Sequence, residues 1–324
     1  MIDRLLTFES DGLDPYRNLA TEQHLLESVS DGCCILYLWQ NERTVVIGRN
    51  QNAWAECRAD LLRREGGRLA RRLSGGGAVY HDTGNLNFTF IMKTADYDLD
   101  RQLNVIGAAC GALGISTERS GRNDLLASGK KFSGNAFYRH EGRSYHHGTL
   151  LVDVDTARMG RYLSPPAAKL ETKGVKSVRS RVVNLREIEP SITVGALRSA
   201  LKTAFSEVYG RSSESFGPID ETAVAALTER YSSDEWLFGR RIPLTFRCEK
   251  RFPWGGIELQ IVADRGYVEE AAVYTDDMDH ETAEKICAAI RGCRFSAEEL
   301  SRRIESCGVP HARDIILMLS EQEI

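Results

Sequence analysis

Apolar and polar residues follow two repeating patterns along the chain, and each pattern predicts its own kind of element. Short apolar runs predict strands over residues 35–39 and 44–48, and roughly alternating apolar positions predict strands over 257–262 and 267–274. Apolar residues spaced three and four apart predict helices near 104–113 and over 194–208, the second ending at Gly210. Because strands and helices do not alternate as regular βαβ units, the pattern predicts an α+β fold.

Local capping signals predict where two further helices begin. Asp14 precedes Pro15, and an aspartate followed by proline is typical of an N-cap and the first helical position. Ser296 and Glu299 have the spacing of a capping box, and Gly308 ends the helix that they start. Between these regions, residues 239–243 predict a linker that divides the chain into two domains, 1–243 and 247–324.

Residues 71–90 are the most informative stretch for function. They predict a strand, a turn of three consecutive glycines (Gly75, Gly76 and Gly77) and a second strand, with Arg71 and Arg72 just before the turn. Glycines without β-carbons allow bare amides to curl around an anion, so the stretch predicts a phosphate or carboxylate cradle. The spacing fits neither a P-loop nor a dinucleotide fingerprint, and a glycine-rich hairpin with a solvated arginine pair is the alternative.

Two further segments carry basic residues beside glycines. Residues 132–154 predict a hairpin that turns at Glu141–Gly142, with Lys130 and Lys131 at its entry and His146–His147 on the returning strand. Side chains alternate along a strand, so at most one residue of each adjacent pair faces a site. Residues 169–185 are rich in lysine and arginine and include Gly174; a solvated surface loop is the alternative for this segment.

Composition and charge exclude several classes of function. Of the 324 residues, 42% are hydrophobic and 27% are charged, as in globular proteins, and the net charge is −4. This charge does not favour bulk binding to nucleic acid or to an anionic membrane, whereas local basic segments suit a small anionic ligand. The N-terminus shows neither a signal peptide nor a membrane span, so we expect a cytoplasmic protein. The eight cysteines form no C-x-x-C pair and are expected to be reduced and buried.

Together and in this order, the motifs resemble the lipoate–protein ligase A family nearly from end to end. They are Arg71-Arg72-x-Ser74-Gly75-Gly76-Gly77-Ala78-Val79-Tyr80-His81-Asp82, Lys131-x-Ser133-Gly134 and His146-His147-Gly148-Thr149, with the matching residues 14–22, 121–124, 173–181 and 251–256. The resemblance implies a biotin/lipoate ligase-like catalytic domain, in which helices flank mixed β-sheets, and a small α+β C-terminal accessory domain. It also implies ATP and Mg²⁺, lipoate as the second substrate, and two half-reactions: formation of lipoyl-AMP, then transfer of the lipoyl group to a lysine.

The resemblance implies roles for individual residues. Lys131 would be the catalytic residue, because it would bridge the lipoate carboxylate and the α-phosphate. ATP and lipoyl-AMP would be bound by Arg72, Ser74, Gly75, Gly76, Gly77, Ala78, Val79, Tyr80, Asn123, Asp124, Lys131, Lys173, Gly174 and Val175. The lipoyl tail would occupy a pocket with Trp39, His81, His147 and Gly148, although which of His146 and His147 faces it stays open. No protein metal ligands are assigned, since Mg²⁺ is expected on the ATP phosphates.

The same resemblance names partners and rivals. The carrier proteins would be apo lipoyl domains of 2-oxoacid dehydrogenase acyltransferase subunits and the glycine-cleavage H protein. An octanoyltransferase of similar fold works through a cysteine thioester, but no cysteine lies in the cradle, hairpin or basic segment. A non-catalytic lipoate-binding relative is a further alternative, and a biotin ligase is disfavoured because its glycine-arginine adenylate loop is missing.

Overall fold

The structure is a computed structural model that describes residues 1–121, 124–163, 182–239, 242–322 and 324. The strands in these ranges are β1 (Arg4–Glu9), β2 (Cys33–Trp39), β3 (Thr44–Ile47), β4 (Arg68–Arg71), β5 (Val79–His81), β6 (Asn85–Lys93), β7 (Glu118–Ser120), β8 (Asp124–Ala127), β9 (Lys130–His140), β10 (Arg143–Leu151), β11 (Ser213–Ser215), β12 (Phe246–Phe252), β13 (Gly255–Asp264) and β14 (Tyr267–Thr275).

The helices in the same ranges are α1 (Pro15–Ser28), α2 (Ala53–Glu56), α3 (Ala59–Arg64), α4 (Leu99–Ala112), α5 (Thr156–Tyr162), α6 (Leu185–Ile188), α7 (Val194–Tyr209), α8 (Glu221–Ser232), α9 (Asp234–Phe238), α10 (Thr282–Ile290), α11 (Ala297–Ser306) and α12 (Ala312–Ser320). A 3₁₀ turn covers Thr94–Asp96. None of the helices in the described ranges combines the length and apolar character that crossing a bilayer requires.

The strands form three mixed or antiparallel sheets. The largest has eight strands in the order β11-β1-β2-β6-β10-β9-β8-β7, parallel only around β1. A three-stranded sheet, β4-β3-β5, carries the glycine turn between two of its strands, and a second, β12-β13-β14, is antiparallel. Helices flank these sheets, so the fold is α+β, as the sequence predicts.

The large sheet buries both of its faces. One face packs against α4 and α7, around Phe88, Phe90 and Phe205. The opposite face packs against α1 and against Val46 of the β4-β3-β5 sheet, around Tyr37. The candidate functional residues meet in the space between this eight-stranded sheet and the β4-β3-β5 sheet.

The C-terminal strands and helices share a core of their own, which includes Leu259, Ile286 and Ile315. This core supports a separate unit, but the domain bounds 1–243 and 247–324 stay a prediction. The predicted linker falls partly outside the described residues, since residues 240 and 241 lie there.

Several local predictions are confirmed. Asp14 caps α1, and its carboxylate accepts hydrogen bonds from the amides of Tyr16 and Arg17. Gly210 ends α7 in a left-handed conformation, and Ser296 caps α11 through the amide of Glu299. The predicted hairpin is β9–β10. The helix expected near 104–113 begins earlier, at Leu99, because Asp98 caps it.

Candidate active site

A cavity of about 250 Å³ lies between the large sheet and the glycine turn. Its wall brings together residues from α1, from strands β2, β3, β5 and β6, from the glycine turn and from the β9–β10 hairpin. The lining residues are Leu19, Trp39, Val46, Arg72, Gly76, Gly77, Ala78, Val79, His81, Asn87, Lys131, Gly134, Asn135, Ala136, His147, Gly148 and Thr149. Most of the candidate residues that the structure describes therefore share one cavity.

The arginine pair before the glycine turn is buried, so the alternative of a solvated arginine pair is wrong. Arg71 and Arg72 are each 6% exposed, and burial lowers the pKa of both guanidinium groups to about 10. Arg71 donates to backbone carbonyls, among them those of Gln51 at 2.7 Å and Leu237 at 2.6 Å. It therefore joins the loop after β3 to α9 rather than facing the cavity.

Arg72 determines the shape of the glycine turn. Its Nη2 donates to the carbonyls of Gly75 at 2.6 Å and Gly77 at 2.9 Å, and its Nη1 donates to the carbonyl of Val46 at 3.2 Å. Its Nε donates to Ser74 Oγ at 3.0 Å. These bonds use all but one of the guanidinium N–H groups. With the carbonyls held by Arg72, the turn keeps a defined conformation without a bound anion.

A buried hydrogen-bond relay connects this turn to helix α1. Ser74 Oγ lies 2.8 Å from His147 Nε2, and His147 Nδ1 lies 2.8 Å from Glu22 Oε1. The same Glu22 oxygen accepts from Thr89 Oγ1 at 2.7 Å, and Thr89 Oγ1 accepts from Trp39 Nε1 at 3.1 Å. We refer to these linked groups, from Trp39 to Arg72, as the Glu22 relay. It joins a wall of the cavity to the glycine turn.

Serine, histidine and carboxylate in this order resemble the triad of acyl-transfer enzymes. Ser74, however, is completely buried and does not line the cavity. Its hydroxyl oxygen already accepts from Arg72 and contacts His147. The arrangement positions the turn and does not present a nucleophile to a substrate.

The glycine turn also touches the C-terminal unit. Gly76, whose φ of +86° favours glycine, donates its amide to the carbonyl of Asp277 at 2.9 Å. A β-carbon on Gly76 would lie 3.1 Å from the sulfur of Met278. A β-carbon on Gly77 would meet nothing within 4 Å, although both glycines line the cavity. One side of the turn is thus packed, and the other side is open.

Lys131 lies at the β9 end of the cavity. Its Nζ forms an ion pair with Asp124 Oδ1 at 2.7 Å, and both side chains are about one-third exposed. The strand register shifts here, because Leu126 pairs with Lys131 whereas Leu125 pairs with Ser133. Such a bulge re-aims a side chain, and it leaves the Lys131 ammonium beside Gly134, where a β-carbon would lie 3.1 Å away.

The three candidate histidines have different surroundings. His81 and His147 line the cavity, whereas His146 points to the opposite face of the sheet, where Gln102 and Asn135 bind its ring nitrogens at 2.9 and 2.8 Å. Burial lowers the pKa of His81 and of His146 to about 3, so both are neutral. The neighbouring histidines therefore have separate roles, His147 at the cavity and His146 in the core.

Other predicted residues lie outside the cavity wall. Tyr80 packs its ring against Tyr162, with 5.7 Å between centroids, on the face of β5 that points away from the cavity. Asn123, Lys173, Gly174 and Val175 fall outside the described residues, and their assignments stay predictions. Val183 lies beside the site, because its amide donates to the carbonyl of Lys131 at 2.9 Å.

Several residues at the site have no role that the sequence predicts. Glu22 belongs to a quoted motif, but its contact with His147 joins positions 125 residues apart. Asn87 and Thr149 line the cavity from β6 and β10. One signal in the sequence could have indicated the β6 residues. Asn85, Asn87 and Thr89 are polar side chains at alternate positions of a strand that is otherwise apolar, and all three are buried.

A second, larger cavity of about 830 Å³ lies between α1, the β9–β10 hairpin and α10. Arg49, Tyr138, Arg230, His280 and Glu284 are among its lining residues, and Lys131 and the glycine turn are not. We take the smaller cavity as the candidate active site, because it alone of the two contains the lysine, the turn and two of the histidines.

The chain is similar to known proteins in both of its parts. The family model described as lipoyl protein ligase A/B catalytic domain matches residues 14–206, and the one described as bacterial lipoate protein ligase C-terminus matches residues 242–315. Among solved structures, P. falciparum LipL1 in complex with lipoate is 24% identical, with a TM-score of 0.85 over 98% of this chain and 100% of that chain.

Two other solved structures resemble about three quarters of the chain. One is a bipartite lipoate protein ligase from Thermoplasma acidophilum, studied with its E2 lipoyl domain, which is 30% identical over 75% of this chain and 100% of that chain, with a TM-score of 0.65. The other is a lipoate-protein ligase A bound with ATP, 28% identical over 74% of this chain and 99% of that chain, with a TM-score of 0.64.

Proposed function

We propose, on the premise that the chain belongs to the lipoyl protein ligase A/B family, that it is an ATP-dependent lipoate–protein ligase. The observation that carries the proposal is the single cavity in which the Lys131 ammonium, the glycine turn and an aromatic wall meet. Similar proteins have been solved with lipoate and with ATP, which supports both as substrates here.

The volume of the cavity suits the acyl tail rather than the whole pair of substrates. Ligand sites for larger molecules typically measure about 300–1,000 Å³, and this one measures about 250 Å³. Lipoate would place its tail against Trp39 and Val79, with its carboxylate toward Lys131. ATP would then lie at the mouth, between the glycine turn and Asp124. Each buried methylene of the tail contributes about 0.8 kcal/mol to binding.

The first half-reaction needs charge stabilisation more than it needs a protein nucleophile. A carboxylate oxygen of lipoate attacks the α-phosphorus of ATP, the bond from that phosphorus to the bridging oxygen breaks, and pyrophosphate leaves. Lys131 would lie between two anionic groups as they converge. Before the substrates bind, the ion pair with Asp124, with 2.7 Å between Lys131 Nζ and Asp124 Oδ1, would orient the ammonium group.

The second half-reaction transfers the lipoyl group to a carrier. The ε-amine of a lysine attacks the acyl carbon, the bond to the phosphate oxygen breaks, and AMP leaves with the amide formed. Lys131 would polarise the acyl carbonyl. Apo lipoyl domains are the proposed carriers, because a similar ligase was studied with its E2 lipoyl domain. Transfer to a glycine-cleavage H protein is part of the same proposal.

Mg²⁺ would act through the phosphates of ATP. The described residues contain no group of three or more His, Cys, Asp or Glu side chains arranged to hold a metal. Mg²⁺ commonly binds through one or two carboxylates and substrate phosphates, so Asp124 at the mouth fits such a site. When bound, the ion neutralises charge on the leaving pyrophosphate.

The rival octanoyltransferase reaction needs a thiolate in the site. The eight cysteines all fall in the described part of the chain, and none of them lines the cavity. Burial raises the pKa of the Cys34, Cys57 and Cys110 thiols to about 12, which suppresses their thiolate forms. The ligase is therefore the function that these residues favour.

The test is lipoate-dependent exchange of labelled pyrophosphate into ATP, measured beside transfer to an apo lipoyl domain. Lys131→Ala should lower the exchange rate about 10²–10³-fold, as removal of one preorganised charge stabiliser does. Lys130→Ala is the matched control, since this neighbouring side chain is exposed and does not line the cavity. Exchange by Lys131→Ala at the wild-type rate would contradict the catalytic role of Lys131. A wild-type protein that catalyses no lipoate-dependent exchange would contradict the proposed ligase function.

A further inference from the structure

Two buried donors in the cavity wall have no hydrogen-bond partner among the described residues. They are Nε2 of His81 and Nδ2 of Asn87, in side chains that are 3% and 1% exposed. Buried polar groups are rarely left without a partner, because each unmade hydrogen bond is costly. Both residues line the cavity, so a ligand with suitably placed acceptor atoms would satisfy them.

A chain of amides determines that His81 Nε2 is a donor. Asn18 Nδ2 donates to the Gln40 carbonyl at 2.8 Å and to Asn41 Oδ1 at 3.0 Å, so the other end of the Asn41 amide is its NH₂ group. That group contacts His81 Nδ1 at 3.1 Å. His81 therefore accepts at Nδ1 and carries its proton on Nε2. Its low pKa keeps the ring neutral, which preserves this tautomer.

Asn87 is oriented by its neighbour on β6. Its Oδ1 accepts from Asn85 Nδ2 at 2.9 Å, so Asn87 Nδ2 and Asn85 Oδ1 are the ends left without a partner, and of these two residues only Asn87 lines the cavity. A third polar group in the region, the Trp39 indole N–H, already donates to Thr89. The two free donors are therefore a specific feature of His81 and Asn87 and not of the whole wall.

Strand register locates these donors relative to Lys131. Trp39 pairs with Asn87, and Asn87 pairs with Thr149, whose Oγ1 accepts from the Gly134 amide at 3.3 Å. Lys131 Nζ lies over Gly134, at one end of this row. Neighbouring strands are spaced by about 4.8 Å, so Asn87 lies about 10 Å from the lysine end. The His81 ring is 6.0 Å from that of Trp39, at the far end of the row.

We propose that His81 and Asn87 select acids that carry acceptor atoms at the end remote from the carboxylate, and so favour lipoate over octanoate. The proposal rests on the proposed function, in which the carboxylate lies beside Lys131. Both acids have eight carbons, but lipoate carries two sulfur atoms in its distal ring, where octanoate has only methylene and methyl groups. Sulfur is a weak acceptor, and a methyl group is none.

The selection acts mainly by penalty. Octanoate would fill the cavity with hydrocarbon and leave the two N–H groups buried without an acceptor. Sites built to hydrogen-bond a substrate reject the analogue that lacks the partner atom, whereas apolar sites discriminate poorly. Since sulfur accepts weakly, we expect kcat/KM to be at least about fivefold higher for lipoate than for octanoate.

The test measures the exchange of labelled pyrophosphate into ATP in the presence of each of three acids. They are lipoate, octanoate and 6-thiaoctanoate, which has one sulfur in an unbranched chain. Wild type should rank them lipoate, 6-thiaoctanoate, octanoate. Asn87→Leu and His81→Phe should each reduce the preference for lipoate over octanoate, chiefly because octanoate improves. The ratio of kcat/KM for lipoate to kcat/KM for octanoate, measured on one variant, does not depend on the fraction of that variant that is folded. A partly unfolded variant therefore still tests the preference.

Thr149→Val is the matched control. It removes a hydroxyl from the same cross-strand row but at the lysine end, and it should change both acids alike and keep their ratio. Equal use of the three acids by wild type, or an unchanged ratio in both donor variants, would overturn the inference and leave the ligase function standing. If no acid supports exchange, the proposed function fails, and calorimetric binding of the three acids then decides the selectivity by the same ranking.

Discussion

Glu22 is the residue whose replacement tests the buried relay most directly. Its carboxylate is 2% exposed and accepts hydrogen bonds from His147 and Thr89. Glu22→Ala would leave these two buried donors without an acceptor, at about 1–3 kcal/mol each. We therefore expect a loss of about 2–6 kcal/mol in the free energy of unfolding. Glu22→Gln keeps an oxygen in place and should cost less, since it weakens the two bonds without removing them.

The functional consequence should appear in the affinity for ATP. The relay ends at Arg72, which holds the carbonyls of the glycine turn, so a displaced His147 should loosen the turn through Ser74. We expect Glu22→Gln to raise KM for ATP while kcat changes less. Ser74→Ala interrupts the relay one step later and should produce the same KM effect with a smaller loss of stability.

A double-mutant cycle of Glu22→Gln and Ser74→Ala shows whether the two residues act through one hydrogen-bond network or independently. Groups in one hydrogen-bond network couple by about 0.5–3 kcal/mol, so the KM effects of Glu22→Gln and Ser74→Ala should be non-additive. Thr89→Val is the control, because it interrupts only the branch to Trp39 and should change KM for lipoate more than KM for ATP. Additive effects on KM for ATP in the cycle would refute the relay.

Three further predictions concern glycine, pH and thiols. Gly76→Ala should lower the free energy of unfolding by more than about 1 kcal/mol, because φ is +86° there, whereas Gly77→Ala should change it by less than about 0.5 kcal/mol; urea unfolding checks both. His81 and His146 have pKa values near 3 when folded and about 6.5 when unfolded, so the unfolded chain binds more protons between these values. The free energy of unfolding should therefore fall as pH decreases from 6.5 toward 3, by up to about 1.4 kcal/mol per unit for each histidine, and His146→Gln should show a shallower slope in urea titrations at several pH values. Single Cys→Ala variants should keep exchange and transfer rates within a few-fold of wild type, and a kinetically competent acyl-thioester on any cysteine would favour the rival reaction.

Local signals in the sequence were sufficient for many elements. Asp14 with Pro15, Ser296 with Glu299, and Gly210 each act within one helical turn, so the ends of α1, α11 and α7 could be predicted without tertiary information. The β9–β10 hairpin was also predictable, since its turn and its alternation are local. By contrast, β1 pairs in parallel with β2 and β11, and such pairing over long separations leaves little trace in a short window.

The site shows the same division between local and long-range determinants. Alternation predicts that only one of His146 and His147 faces the cavity, but the orientation depends on aromatic packing around His146 by Phe88, Phe90 and Phe137. From the sequence, the two arginines before the glycine turn could belong to an anion cradle or be a solvated pair. Their burial depends on carbonyl groups supplied by residues 46–51 and 236–237, which no local motif encodes.

The contact between the glycine turn and the C-terminal unit constrains how the turn can bind an anion. An N–H group donates one hydrogen bond, and the Gly76 amide donates to the Asp277 carbonyl. A phosphate oxygen bound at Gly76 would have to replace that carbonyl, whereas one bound at Gly77 would not. Both glycines border the cavity, but only Gly76 is also packed against Met278, so the turn offers an anion the Gly77 amide first. Any ligand that also requires the Gly76 amide must displace the residue 277–278 segment, which would couple binding of the proposed nucleotide to the position of the C-terminal unit.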